Sequence, residues 1–433
     1  MVERETTWDG YHVDYPSTLY LGWQREAVDA LQACGTRVMC VVSAAERGKP
    51  AEAGFDGPIA VARDHTNVED VLGALAGYGL TPDRFETVCT EDEFALVTAA
   101  VLNALAGSSS ADALPLSVPV ALALRDKAVQ KRRIREANVP TARCRRLSDL
   151  AAVREEVRDA ELVPPFVIKP LAGAAAQHTH VVETSDTDSA LKEIASSDAP
   201  VGPWLVEEYV HGEELHIDGA IRGGEIQVLS VSRYLHNVIT VHDGHLVASA
   251  TLDDSDPLVA RAHRLAERSL TALGHADGVF HLEAFVDGEG LVFGECAGRI
   301  GGGLILDVVR SKYGVDLYAV WAAAALGCPP PAPVPVEEPR TDSFGWVNLP
   351  APTGRLRSLP TREEIEARPG VVLGQTWAVP GDILGDPRRA SHLLVAKAMV
   401  RAPSEAEVRA ILRDTGEWFA QQVTVTPVGH DDV

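Results

Sequence analysis

Two glutamates, Glu283 and Glu295, sit in the stretch His281-Leu-Glu-Ala-Phe-Val-Asp-Gly-Glu-Gly-Leu-Val-Phe-Gly-Glu295-Cys-Ala-Gly-Arg299-Ile-Gly-Gly-Gly303. Two β-type runs, HLEAFVD and LVFGEC, flank a Gly288-Glu289-Gly290 turn, which is a hairpin signal. A hairpin closing symmetrically about Glu289 sets Asp287 against Leu291, Phe285 against Phe293 and Glu283 against Glu295. Side chains alternate faces along a strand, so both carboxylates then share one face. Directly opposed Cβ atoms are about 5 Å apart, and like charges there are destabilising. A divalent cation is the simplest counter-charge, and Mg²⁺ typically uses one or two carboxylates plus substrate phosphates. Two glutamates facing solvent and screened by water are the alternative, since a bulge would turn one of them to the other face.

Other residues suited to phosphate chemistry lie upstream. Lys169 ends the strand-like run PPFVIKP, and the loop from Leu171 to Thr179 has one glycine, four alanines and little bulk. Such a loop can close over a phosphate with its backbone N–H groups. The helical segment RDKAVQKRRIREAN carries Lys127, Lys131, Arg132, Arg133 and Arg135. In a chain of net charge −23 a basic helix suggests that some of its cations meet phosphate, a solvated face being the other reading. Acids end the strand WLVEEYV and follow in HGEE. Cys296 falls on the hairpin face opposite the glutamates and reads as core.

The elements that must position these residues are legible as alternating patterns. STLYLG, TRVMCVVS, PIAVARD and FETVCT read as strands alternating with helical segments, which argues for an open parallel sheet. Its first turn carries Gly22 but no GxGxxG, so an independent dinucleotide site is not expected there. The middle of the chain mixes strands and Gly-rich turns with a helix over DSALKEIASS and an amphipathic helix over DPLVARAHRLAERSLTALG. After the proline-rich CPPPAPVPVEEP, short β runs and two helices form a small α+β module, expected to serve as a structural cap. At 433 residues the chain exceeds a single core. The expected domains are 1–115 (α/β), 116–330 (two α+β subdomains, about 116–200 and 201–330) and 331–433 (α+β). The negative charge argues against a broad nucleic-acid or anionic-membrane surface. No apolar run approaches membrane-spanning length, and six scattered cysteines without a CxxC pair fit a cytoplasmic protein.

Taken in order, RDK at Arg125–Lys127, VIKP at Val167–Pro170, VEEYVHGEE at Val206–Glu214 and HLEAF…FGECAGRIGGG at His281–Gly303 resemble the ATP-grasp superfamily. The likeness is to its carboxylate–amine ligases, the amino-acid ligase and biotin-carboxylase-like branch. It implies two α+β subdomains clamping ATP, with Lys127 and Lys169 on its phosphates and the loop after Lys169 as a flap. It further places Glu207 near the adenine amino group, the backbone of Glu208 and Val210 on the ring edge, and Glu214 on the ribose hydroxyls. Glu283 and Glu295 match metal-bridging carboxylates for Mg²⁺ or Mn²⁺. Arg299 matches an arginine holding the reacting carboxylate or its phosphate, with Gly301, Gly302 and Gly303 as the turn beside the substrate. His281 shares the face of Glu283 and is placed to reach the transferred phosphate, with packing as its other reading. Ala297 departs from the family, many members of which carry Asn there.

The implied reaction activates a carboxylate as an acyl phosphate and joins it to an amine, releasing ADP and phosphate. A carboxylase or nucleotide-biosynthesis ligase of the same superfamily, or a non-catalytic ATP-binding relative, is the alternative. The expected partners are small-molecule carboxylate and amine substrates, with a homodimer left open. Tyr234, His236 and His242 are candidates to line the substrate pocket, surface positions being the other reading.

Overall fold

Runs that are apolar on both faces become strands covered on both sides, and the first two strands behave this way. Thr18–Leu21 (β1) and Val38–Ser43 (β2) are buried almost throughout. With Ile59–Ala62 (β3) and Thr87–Cys89 (β4) they make an all-parallel sheet in the order β3-β2-β1-β4. Helices Arg25–Ala33, Val68–Ala76 and Leu96–Ala106 follow the strands, as the alternation predicts. Asn67 caps the second of these by accepting from the N–H groups of Glu69 and Asp70. Leu19, Leu21, Met39, Val41, Val71 and Leu102 form the core.

The structure is a computed structural model that describes residues 17–106, 116–150, 153–159, 161–183, 189, 191–192, 194, 202–288, 290–329, 331 and 341–428. The turn residue Glu289 lies outside these, as do the GSSSADALP and PVPVEEP stretches and most of the helix expected over DSALKEIASS. The chain divides into two compact units: residues 1–121 with 321–330, and residues 122–320 with 331–433. The parallel sheet belongs to the first. Among the described residues no helix is long and apolar enough to cross a membrane.

The second unit carries the residues of chemical interest. Cys144–Leu147 (β5), Phe166–Pro170 (β6), His180–Val182 (β7) and Trp204–Glu208 (β8) form an antiparallel sheet in the order β5-β8-β6-β7. It is closed by Phe166, Ile168, Trp204 and Val206. Glu214–Arg222 (β9), Glu225–Tyr234 (β10), Ala248–Thr251 (β11), Gly278–Asp287 (β12) and Gly290–Ala297 (β13) build a second antiparallel sheet. Of the later strands, Ser343–Leu349 (β14), Gly354–Ser358 (β15), Val371–Thr376 (β16), Ile383–Leu384 (β17), Ala396–Ala402 (β18) and Thr424–Thr426 (β19), three extend that sheet. Its order is β13-β12-β9-β10-β11-β14-β18-β16, so strands on both sides of the proline-rich stretch share one sheet. β15, β17 and β19 form a small sheet of their own. Helix Pro257–Leu273, capped by Asp256 and ended by a left-handed Gly274, buries Leu265, Leu270 and Leu273, the stripe its periodicity predicts.

The β12–β13 hairpin opposes Glu283 and Glu295, as symmetric closure predicts, but by another route. Asp287 pairs with Gly290, Phe285 with Val292 and Ala284 with Phe293, so the turn is one residue tighter than expected. An irregularity between Glu283 and Ala284, with Gly294 as the extra residue opposite, restores the glutamate pair. A Cβ at Gly294 would lie 2.9 Å from the Glu283 carbonyl oxygen and 3.2 Å from the Phe285 ring, so the bulge needs glycine there. The bulge creates the pairing that it was expected to threaten.

Candidate active site

Asp126 starts helix Lys127–Glu136 by accepting from the N–H groups of Ala128 and Val129, each at 2.9 Å. Residues four apart share a helix face, so Lys127 and Lys131 project together, and both are buried. The Lys127 ammonium lies 3.2 Å from Glu295 and donates to the Gly173 carbonyl at 2.8 Å. Lys131, 1% exposed, meets Glu207 at 2.8 Å. Lys169, at the end of β6, lies 2.5 Å from the other Glu207 oxygen and 3.9 Å from Glu295. The basic helix is therefore divided: two lysines turn to the acids, while Arg133 donates to the Leu273 carbonyl at 2.7 Å.

These pairs set the ionisation of the cavity. Burial alone would raise the Glu207 carboxyl, but Lys131 and Lys169 outweigh it and hold Glu207 at about 2. Glu295 is likewise held at about 2, against burial, by Lys127 and Lys169. Lys169 remains a cation despite burial because Glu207 and Glu295 flank it. Glu214 has no such relief. It accepts from the Val238 N–H at 2.7 Å, yet burial first, and then the negative charge of Glu283, pushes its carboxyl well above the usual range. Glu283 and Glu295, opposed across the hairpin and lining one cavity, offer oxygen donors of the kind that Mg²⁺ takes from one or two carboxylates.

Behind the glutamates lies a buried polar chain. Asp218 on β9 joins two imidazoles, lying 2.5 Å from His216 Nδ1 and 2.7 Å from His281 Nδ1. His216 Nε2 reaches Ser249 Oγ at 2.7 Å. His281 Nε2 lies 3.5 Å from Glu283. Burial works against charge on His281, but Asp218 and Glu283 more than reverse this and raise it to about 10. The Arg-Ile-Gly-Gly-Gly turn packs against this group. A Cβ at Gly301 would fall within 2.7 Å of Asp218 and 2.8 Å of His281. Gly303 has φ +69°, and a Cβ there would meet the Trp346 ring at 2.6 Å. Arg299 donates to the Ile300 carbonyl at 2.8 Å.

One cavity of about 290 Å³ collects nearly all of these groups. Lys127, Lys169, Glu207, Glu208, Val210 and Glu214 line it, as do His281, Glu283, Glu295, Arg299, Gly302 and Gly303. Gly301 does not line it; it backs the His281–Asp218 pair. Among the three pocket candidates Tyr234 lines the cavity, whereas His236 stacks on His245 with ring centroids 4.4 Å apart.

The pattern describing the ATP-grasp domain matches residues 162–307. The chain carries an ATP-grasp domain. The L-arginine-specific L-amino acid ligase of Bacillus subtilis is 24% identical over 366 residues, covering 81% of this chain and 84% of that one. Among solved structures, the L-amino acid ligase of Bacillus licheniformis aligns with a TM-score of 0.71 at 16% identity, over 95% of this chain and 99% of its own. The carboxyaminoimidazole ribonucleotide synthase of Aspergillus clavatus, complexed with ATP, aligns with a TM-score of 0.68 at 16% identity, over 93% and 99%.

The cavity also takes in residues that the resemblance did not place in the site. Lys131 lines the cavity with Lys127, and its position four residues later on one helix was the available signal. Trp346, Asn348 and Lys397 line it from β14 and β18, the segment expected to be a structural cap; no local motif marks them. The third pocket candidate, His242, has a different task. Its Nδ1 lies 2.7 Å from the Arg388 carbonyl and its Nε2 3.2 Å from the Ala176 carbonyl, which clasps the light loop over 171–179. Ser391 adds to the clasp by donating its N–H to the Ala175 carbonyl at 3.2 Å. Removing the imidazole (His242→Ala) is expected to raise the KM for ATP about tenfold and leave the melting temperature within about 2 °C. An unchanged KM would show that the clasp does not govern the loop.

Proposed function

We propose that the protein uses ATP to activate a small carboxylic acid as its acyl phosphate and joins that acid to an amine. The observation that carries this reading is the convergence of Lys127, Lys169, Glu283, Glu295 and Arg299 on one cavity. A carboxylate oxygen attacks the γ-phosphorus of ATP, and the bond from phosphorus to the ADP oxygen breaks. The neutral amine nitrogen then attacks the acyl carbon, the carbon–oxygen bond to phosphate breaks, and phosphate leaves as the nitrogen gives up a proton, which phosphate can take. Charge on the transferred phosphoryl group is best met by preorganised cations in a site that excludes water. Lys127 and Lys169 suit the phosphates of ATP, and Arg299 suits the acid and then its phosphate. His281, held protonated by Asp218 and Glu283, donates toward the transferred group. Glu283 and Glu295 would hold Mg²⁺ (or Mn²⁺), which when bound neutralises phosphate charge. In that arrangement Lys127 and Lys169 exchange Glu295 for phosphate oxygens, while Lys169 keeps Glu207.

We assign the ring edge of adenine to the backbone of Glu208 and Val210, and the ribose hydroxyls to Glu214. The Glu207 carboxylate is engaged by Lys131 and Lys169 and orders those lysines beside the nucleotide. The loop over 171–179 closes the site, protecting the acyl phosphate from water. Within this scheme residues 116–330 handle the nucleotide, while 331–433 add a wall to the substrate side. The likeness to two L-amino acid ligases supports amino acids as substrates.

The test is an ADP-release screen of amino acids and small acids crossed with amines, followed by mass spectrometry of the product. The expected result is ADP formation that requires both partners and yields an amide. ADP release driven by bicarbonate alone, or no turnover across the panel despite tight ATP binding, would overturn the reading.

A further inference from the structure

We infer that Asn348 and Lys397 hold the two polar ends of an α-amino acid serving as the amine substrate, its neutral amino group on Asn348 and its free carboxylate on Lys397. This inference rests on the ligase reading above and extends it to the acceptor.

Asn348 on β14 and Lys397 on β18 are directly opposed in the sheet, and both line the cavity. Opposed side chains start about 5 Å apart, which suits the short span between the amino and carboxylate groups of an α-amino acid. The Asn348 side chain is buried, and its amide nitrogen donates to the Ser391 carbonyl at 3.0 Å. That bond fixes the orientation of the amide and leaves Oδ1, which is buried with no hydrogen-bond partner. A buried acceptor without a donor is costly, and an amine N–H is the group that would satisfy it. Lys397 presents the complementary need. Its ammonium is partly buried and donates to the Gly303 carbonyl at 3.0 Å, and an ammonium has three N–H donors. The ammonium also lies 5.8 Å from the Trp377 ring centroid and feels the charge of Asp307, and a substrate carboxylate would offer acceptors to its other N–H groups. A second, independent contact ties the pair to the reacting end of the site, since Trp346, two residues before Asn348 on the same strand face, packs on Gly303. Both strands thus abut the turn that follows Arg299. An amine bound there is placed beside the activated acid, whereas the acid's own carboxylate is consumed in forming the acyl phosphate and needs no lasting cation.

The test takes an acid–amine pair from the screen and compares the amino-acid acceptor with its carboxamide, measuring kcat/KM for each. Wild type is expected to prefer the free carboxylate by at least about tenfold. Lys397→Met should bring the ratio near one, and Lys397→Arg should keep the preference. A wild type that uses the carboxamide equally well overturns the inference without recourse to any variant. So does an unchanged ratio in folded Lys397→Met, judged by melting temperature and ATP binding, or a loss that follows the acid rather than the amine. A screen in which no pair yields ADP fails the ligase reading itself and is distinguishable from each of these.

Discussion

Glu295→Gln is expected to slow ADP formation by about 10²–10³-fold, the usual effect of removing one preorganised charge from a phosphoryl or acyl transfer site. The amide keeps the shape of the carboxylate but cannot supply its charge to a cation shared with Glu283. The fold should tolerate the change, because both lysines that meet Glu295 have other partners. Lys169 keeps Glu207, and Lys127 keeps the Gly173 carbonyl. The variant also relieves Glu214, whose carboxyl is raised by burial and by Glu283 and Glu295. Melting temperature is therefore expected to move by no more than about 2 °C in the absence of ligand. Near wild-type ADP release in this variant would remove the glutamate pair from the chemistry.

Lys131→Met should act in the opposite sense, on stability before turnover. Lys131 and Glu207 are both buried, and removing one partner of such a pair typically costs 3–5 kcal/mol because the other charge is stranded. Lys169 still reaches Glu207, so the lower end, about 3 kcal/mol, is expected in urea unfolding. Adding Glu207→Gln to Lys131→Met should recover part of the loss. A cost under about 1 kcal/mol would mean that the pair is not a structural anchor. The pH dependence gives a second check. The carboxyl of Glu207 falls from 4.5 to about 2 on folding, so its contribution is present above pH 4.5 and lost as the pH falls toward 2. Lys131→Met should weaken that acid-sensitive contribution.

The sequence by itself determined what depends on local periodicity. Strand and helix alternate at spacings that identify the parallel sheet, and the two β-type runs about Gly288 and Gly290 mark the hairpin that carries Glu283 and Glu295. The ordered motifs around them were enough to point to an ATP-grasp domain, which the family match over residues 162–307 bears out. Tertiary structure decided what depends on partners distant in the chain. Nothing near Lys131 indicates that Glu207 will bury it, since the pair forms only when helix Lys127–Glu136 packs on β5 and β13 and Lys131 reaches Glu207 on β8. The bulge at Gly294 is fixed by how tightly the turn closes, and alternation is blind to a one-residue difference there. The strands that bear Asn348 and Lys397 look locally like those of a separate small module. The place of β14 beside β11, and of β18 beside β14, follows from edge pairing, in which backbone N–H and C=O groups seek partners whatever the side chains between them, so the far wall of the cavity could be seen only once the sheet was assembled.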